Sequence, residues 1–267
     1  MMLPKPNDGF AWVQAAAGPA LVCRALQPFA DHLFTTRAWA LGSAPGPDTG
    51  SAWEEVARAL GLDPSHLVRA HQVHGAAVVV RRRAGATDPA SFPDADILVS
   101  DDGRLALAIH TADCVPLLMA DRRTGAVAAA HAGWRGLAAR VPAVAVGALT
   151  REFGSRPADL VAAIGPSIGA ARYEVGADVR ACFEASGCAQ LARWFADADR
   201  PLHWHFDGWQ SARDLLEAAG VPAAQIHAAG LCTASHPDLL CSYRRGGTSA
   251  GRVAGAIRPR APHRRPL

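Results

Sequence analysis

The stretch Ile97–His131, ILVSDDGRLALAIHTADCVPLLMADRRTGAVAAAH, decides the fold. Four apolar runs, Ile97–Ser100, Leu105–His110, Val115–Ala120 and Ala126–His131, follow one another across short polar gaps rich in Asp, Gly and Arg. Runs of this length bounded by turn residues read as strands. A parallel neighbour needs a crossover of roughly a dozen residues or more, and these gaps are far shorter. Much of the pairing is therefore expected to be antiparallel. The fold class that follows is mixed α/β (α+β), with packed, largely antiparallel sheets flanked by helices, rather than a doubly wound parallel sheet.

Working outward, Leu33–Thr36 looks like a short strand, and Leu67–Gln72 and Ala76–Arg82 suit strands on either side of a His74-Gly75 turn. Ser51-Ala-Trp-Glu54 has the spacing of a capping box and predicts a helix that stops near Gly61. Gly136–Phe153 has helical length and composition despite Pro142, and ends at Gly154. Val161–Ile164 reads as a strand feeding the turn Gly165-Pro-Ser-Ile-Gly169. Helices are expected over Ala177–Ser186 and Gly208–Ala219, the second capped by Asp207, with a last strand near Gln225–Leu231.

The 267 residues fit a single domain over 1–259 with a flexible basic tail at 260–267. Half the chain is apolar and 19% is charged, enough to bury a sizeable core. Mean hydropathy is +0.06, and no run approaches the ~18 apolar residues of a membrane span. A membrane partner is thereby excluded, and the N-terminus makes a poor secretory signal, so a cytoplasmic protein is expected. The net charge of +3 is concentrated at one end: seven arginines (244, 245, 252, 258, 260, 264 and 265) and no acid follow from Arg244. No basic stripe with interleaved aromatics accompanies them, so no nucleic-acid partner is expected. Gly246-Gly-Thr-Ser-Ala-Gly251 has the wrong spacing for a phosphate-cradling loop, which argues against Rossmann and P-loop enzymes. The six cysteines form no CxxC pair and read as free, mostly buried thiols.

Three segments carry the densest polar information: His71-Gln-Val-His74-Gly75, His110-Thr-Ala-Asp-Cys114-Val-Pro116 and His131-Ala-Gly-Trp-Arg135-Gly136. Each puts His or Cys at a strand end, held by the sheet and reachable from the following loop. Two imidazoles and a thiolate suit zinc or copper, and three protein ligands leave a fourth position open, the pattern of a catalytic site. A single histidine is more often a core or surface residue than a ligand. That is the reading preferred for His71, while His110, facing away from Ile109, fits core packing or a supporting place beside the site.

The segments resemble those of the YfiH/laccase-domain family, also called multicopper polyphenol oxidoreductases or YfiH-type purine nucleoside phosphorylases. The matching words are Gln72-Val-His74-Gly75, Ala95-Asp96, Thr111-Ala-Asp-Cys114-Val-Pro116, His131-Ala-Gly-Trp-Arg-Gly136, Ile164-Gly-Pro-Ser-Ile-Gly169, Tyr173-Glu-Val-Gly176, Cys232-Thr233 and Ser242-Tyr-Arg-Arg245. They stand in family order over roughly residues 70 to 255. Phe34-Thr-Thr-Arg37 resembles an early family strand, but the Gly-Gly-Val-Ser loop that usually follows is missing, and Ser249-Ala-Gly-Arg252 stands where Thr-Gly-Arg is usual.

The resemblance implies a YfiH-like fold and His74, Cys114 and His131 as ligands of Zn2+, with Cu2+ as the alternative metal. It also implies phosphorolysis of adenosine, inosine, guanosine and methylthioadenosine, together with deamination of adenosine. Purine nucleoside and phosphate would then be the partners. Cys114 and Asp113 are the candidate catalytic residues; Asp113 fits a proton shuttle or a turn residue equally well. Arg37, Arg135, Arg244 and Arg245 are candidates for the phosphate and substrate contacts, because guanidinium forks suit a dianion. Three rival readings stay open. One is copper-dependent polyphenol oxidation, although multicopper chemistry needs several HxH pairs and the chain has only His203-Trp-His205. Another is a thiol hydrolase editing peptidoglycan precursors, with Cys114 as nucleophile and His131 as base. The last is a ligand-binding protein that keeps the family core.

Overall fold

A computed structural model describes residues 2–42, 50–84, 92–188 and 190–260. Along the chain the strands are β1 (Phe10–Ala15), β2 (Gly18–Cys23), β3 (Ala30–Thr35), β4 (Leu67–Val68), β5 (Val78–Arg81), β6 (Ile97–Ser100), β7 (Ala106–Thr111) and β8 (Val115–Asp121). They continue with β9 (Val127–Ala132), β10 (Leu160–Ile164), β11 (Glu174–Gly176), β12 (Phe195–Asp197), β13 (His203–Phe206), β14 (Ile226–Ala228) and β15 (Val253–Pro259). The helices are α1 (Ser51–Ala59), α2 (Trp134–Ala138), α3 (Val141–Phe153), α4 (Ala177–Ala185), α5 (Leu191–Trp194), α6 (Gly208–Ala218) and α7 (Tyr243–Gly246).

Side-chain alternation sorts these elements into layers. The first sheet runs β1-β2-β3-β15-β7-β4 and the second β14-β10-β8-β9-β6-β5. Leu107 and Ile109 of β7 and Ile257 of β15 face Leu118 and Ala120 of β8 and Ala129 of β9, forming the core between the sheets. Ala106 and Ala108 point the other way, against Trp53 and Val56 of α1. Leu117 and Met119 of β8 and Ala128 and Ala130 of β9 meet α2, α3 and α6 on the far side of the second sheet. Each large apolar side chain buried in this way contributes about 1.5–3 kcal/mol. A smaller sheet, β11-β13-β12, packs on the α4 side.

Phe34 of β3 lies against Gly165, just after β10, and against Gly255 of β15 in its own sheet. A Cβ on Gly165 would lie 2.3 Å from Phe34 Cε1, and one on Gly255 3.2 Å from the same atom. The ring therefore lies against backbone where no side chain fits.

Pairing is largely antiparallel; β4–β7, β5–β6 and β10–β14 are parallel. Of the four runs that led the sequence reading, only β8 and β9 form a hairpin. The short connections before and after β7 instead cross between sheets, and β7 finds its antiparallel partner in β15, far along the chain.

Several expectations need correction. Gly136–Phe153 is not one helix: Arg140 adopts the left-handed region at φ 59°, and α3 restarts with Pro142 in its first turn. Ser51 does not cap α1, because it is already helical and Gly50 occupies the cap position without a side-chain bond. Asp207 does cap α6, accepting the Gln210 N–H at 2.9 Å. Leu67–Gln72 shrinks to the two residues of β4, with His71 making only an isolated bridge to Asp94. The strand near Gln225–Leu231 is not the last, since β15 follows it. Of the tail expected at 260–267, Arg260 Nε donates to Asp31 Oδ1 at 2.7 Å, and 261–267 lie outside the described residues, so that expectation stands neither met nor overturned. Only Cys23 and Cys241 of the six free cysteines are fully buried. No helix among the described residues is long and apolar enough to cross a membrane.

Candidate metal centre

Register in the second sheet sets the site. The β8–β9 pairing places Pro116 opposite His131 and Val115 opposite Ala132, so Cys114, one step before β8, comes level with Gly133. The β6–β9 pairing places Ile97 opposite Ala130, which brings Asp96 level with His131. Three strand ends thus present Asp96, His131 and Cys114 along one edge. His74 sits on a loop and takes a left-handed backbone, φ 60°. A buried carboxylate holds that loop in place. Asp96 accepts the backbone N–H of Val73 (3.3 Å), His74 (3.1 Å) and Gly75 (2.7 Å). It also accepts His131 Nδ1–H at 2.7 Å, which leaves Nε2 as the nitrogen facing the site.

The ligand atoms of His74, Cys114 and His131 lie within 4.8 Å of one another, and the two imidazoles meet nearly edge to face, 4.8 Å between centroids. A Cβ on Gly133 would stand 2.9 Å from Cys114 Sγ and 3.2 Å from His74 Cδ2, so only glycine lets the chain pass this close. Burial pulls the His131 imidazole down, but the Cys114 thiolate and the Asp96 carboxylate outweigh it and push it up to about 9. Burial pushes the Cys114 thiol up, yet the His131 charge and hydrogen bonds from His131 and His74 bring it down to about 6. At neutral pH the sulfur is therefore a thiolate. One thiolate and two imidazoles within this span fit a single zinc or copper ion.

Asp113 also takes a left-handed backbone, φ 83°. Its carboxylate accepts Thr233 Oγ1–H (2.5 Å), Ser242 Oγ–H (3.1 Å) and the Arg244 N–H (2.6 Å). It therefore ties the Cys114 turn to the Ser242-Tyr-Arg-Arg245 loop. Strain of this kind persists where the surroundings over-determine it.

The three ligand candidates open into a cavity of about 680 Å³. Arg135 and Arg244 line it, the first stacked over Trp134 at 4.2 Å and the second over Tyr173 at 5.4 Å. Arg37 and Arg245 are not among its lining residues. Arg37 donates to the carbonyls of Pro237 and Leu240, and Arg245 to that of Ala234. His71 pairs with Asp94 outside the cavity at 2.8 Å. His110 faces away from Ile109, against Trp53, and also reaches the cavity wall. Burial, then the charges of His131 and Arg252, lower it to about 3, so it is neutral. Sequence reasoning missed the holding role of Asp96, for which the word Ala95-Asp96 was the only trace, and the cavity positions of Tyr173, Tyr243 and Arg252.

The sequence model of the multi-copper polyphenol oxidoreductase laccase family matches residues 49–260. A protein of Deinococcus radiodurans named purine nucleoside phosphorylase is 36% identical over 240 residues, covering 85% of this chain and 88% of that one. One of Bacteroides thetaiotaomicron with the same name is 39% identical over 162 residues, a match that spans 61% of this chain and 60% of the relative. The crystal structure of the Bacillus licheniformis hypothetical protein YfiH superposes with a TM-score of 0.81 at 28% identity, covering 90% of this chain and 96% of that one.

Proposed function

Because the chain belongs to the multi-copper polyphenol oxidoreductase laccase family, the YfiH/laccase-domain family, we propose that it is a zinc-dependent purine nucleoside phosphorylase. In this reading it cleaves adenosine, inosine, guanosine and methylthioadenosine with phosphate, and also deaminates adenosine. The observation that carries the reading is the meeting of His74, Cys114 and His131 at one end of a cavity with room for a nucleoside. Relatives named purine nucleoside phosphorylase supply the reaction class.

His74, Cys114 and His131 would hold the ion. Zinc bound there supplies a Lewis acid that activates water or polarises a substrate oxygen near neutral pH. Asp96 keeps His131 Nε2 turned toward the site and fixes the His74 loop. Arg135 and Arg244 bring positive charge to the cavity wall, where a phosphate dianion and the charge developing on the departing purine need neutralising. Tyr173 and Tyr243 offer aromatic faces for the base. Asp113, committed to three donors, holds the turn that presents Cys114. Of the four candidate arginines, Arg135 and Arg244 are the two that line the cavity, with Arg37 and Arg245 turned to carbonyls elsewhere.

The test is direct. Zinc-loaded protein incubated with adenosine and phosphate is expected to release adenine, ribose 1-phosphate and inosine. Cys114→Ala should abolish all three while leaving the melting temperature of the zinc-stripped protein within a few degrees of wild type. Turnover that survives the substitution overturns the assignment. A second reading has its own support, because a thiolate beside a buried imidazole is the nucleophile–base pair of a thiol hydrolase. Full activity after chelation, lost on alkylation of Cys114, would favour it.

A further inference from the structure

His110 and Arg252 enter the cavity wall from neighbouring strands of the first sheet. The β7–β15 register pairs Ala254 with His110, and side chains opposed across a strand pair share a face. Arg252, two residues before Ala254, continues along that face and is the diagonal neighbour of His110. Both side chains are partly exposed rather than sealed. Neither is committed. The His110 ring makes no hydrogen bond among the described residues, because the Gln72 carboxamide holds its backbone instead: Gln72 Oε1 accepts the His110 N–H and Gln72 Nε2 donates to the His110 carbonyl, each at 2.8 Å. A neutral imidazole has one N–H to donate. Arg252 spends only Nη1, on the carbonyls of Ala250 and Gly251, so Nε and Nη2 stay uncommitted among the described residues. The Arg244 side of the cavity differs. Arg244 Nη1 donates to the Glu174 carbonyl, and the acids Glu174 and Asp178 line the cavity there, from β11 and α4. Asp113, the remaining cavity acid, is engaged with Thr233, Ser242 and Arg244. The shared face of β7 and β15 thus offers two donors without a competing anion. The charges of His131 and His74 also bear on His110, which sets this face near the metal centre.

We propose that Arg252 and the His110 imidazole form the seat for inorganic phosphate. This rests on the phosphorylase reading and deepens it. Hydrogen phosphate held there attacks ribose C1′; the new C1′–O bond replaces C1′–N9, N9 takes the bonding pair, and the phosphate proton ends on the purine. The guanidinium matches the charge of the dianion and the imidazole N–H fixes a second oxygen. His110 comes from a strand held on both edges, by β15 and by Gln72, so the seat is rigid on that side.

The experiment uses zinc-loaded enzyme, with KM for phosphate measured at saturating inosine and KM for inosine at saturating phosphate. Arg252→Ala should raise the phosphate KM at least about tenfold and leave the inosine KM within about twofold, with Arg252→Lys in between. His110→Phe keeps an aromatic ring against Trp53 and removes both nitrogens. It should raise the phosphate KM about fivefold, and His110→Gln, which restores a donor, should recover part of the loss. Should Arg252→Ala or His110→Phe fail to fold, Arg252→Lys and His110→Gln carry the same comparison. A phosphate KM unchanged in the folded variants, or an inosine KM that rises in step with it, overturns the seat. Should the wild type show no phosphorolysis, the functional reading fails on its own. Phosphate binding followed calorimetrically then decides the seat: binding to wild type that is weakened in the variants of both residues supports it, and no binding or equal binding rejects it.

Discussion

At the residue scale the site depends on one carboxylate that touches no substrate. Asp96 spends four contacts on His131 and on the backbone around His74. Asp96→Asn keeps the volume, and an amide oxygen in the place of Oδ2 can still accept the Val73 and Gly75 N–H groups, but the NH2 in the place of Oδ1 loses the His74 N–H. Its amide then donates to His131 Nδ1, moving the ring proton to Nε2, where a metal must bind. Zinc affinity should fall about 10- to 100-fold, measured by competition with a chromophoric chelator, while the zinc-stripped fold stays intact; unchanged affinity would disprove the role. His74, Cys114 and His131 were legible in the sequence because each sits in a rare word. The role of Asp96 was not, because three of its four donors are backbone amides, which leave no mark on residue identity. The distribution of arginines misled for a similar reason: proximity to a motif did not reveal which guanidinium turns into the cavity.

At the element scale, the strands that bury both faces were readable as continuous apolar runs, and β8 and β9 fall almost where the pattern put them. Strands whose partners lie far along the chain were not. β15 was missed because its short run, VAGAIRP, contains Gly and Pro and follows a loop. The broken helix was hidden because Arg140 carries no turn signal in its side chain, and only Pro142 hinted at a restart. Gly165 lets the chain after β10 lie directly against the Phe34 ring. Gly165→Ala would drive a methyl into the Phe34 ring and should cost about 1–3 kcal/mol, read as a lower urea midpoint with an unchanged slope. A midpoint equal to wild type would show that the sheets separate freely there.

At the scale of the whole molecule, stability should depend on acid in a defined way. His32 is 5% exposed; its Nε2 accepts the Cys23 N–H at 2.8 Å. Burial pulls it down to about 4, against partial opposition from the Ala30 carbonyl. The unfolded chain therefore binds a proton below about 6.5 that the native state refuses. The stabilisation is complete above that pH and is lost progressively as the pH falls toward 4, by up to about 3 kcal/mol. His32→Gln keeps an acceptor for Cys23 and should flatten the loss between pH 6.5 and 4 in denaturant titrations. An unchanged slope would mean that His32 is not the sensor. The overall class, mixed and largely antiparallel, was read from the short gaps, although only the β8–β9 gap makes the antiparallel turn that reading assumed. That those gaps cross between two facing sheets was not, since a turn and a crossing of equal length look alike in one dimension.

The central place of β15 in the first sheet, between β3 and β7, has a consequence for biosynthesis. Until residues 253–259 clear the ribosome, β1–β3 and β7 have no bridge between them, and the inter-sheet core stays open on that side. The early strands must wait, exposed to chaperones and proteases, for a segment made long after them. Emergence of β15, rather than of the early strands, is the event that closes this sheet.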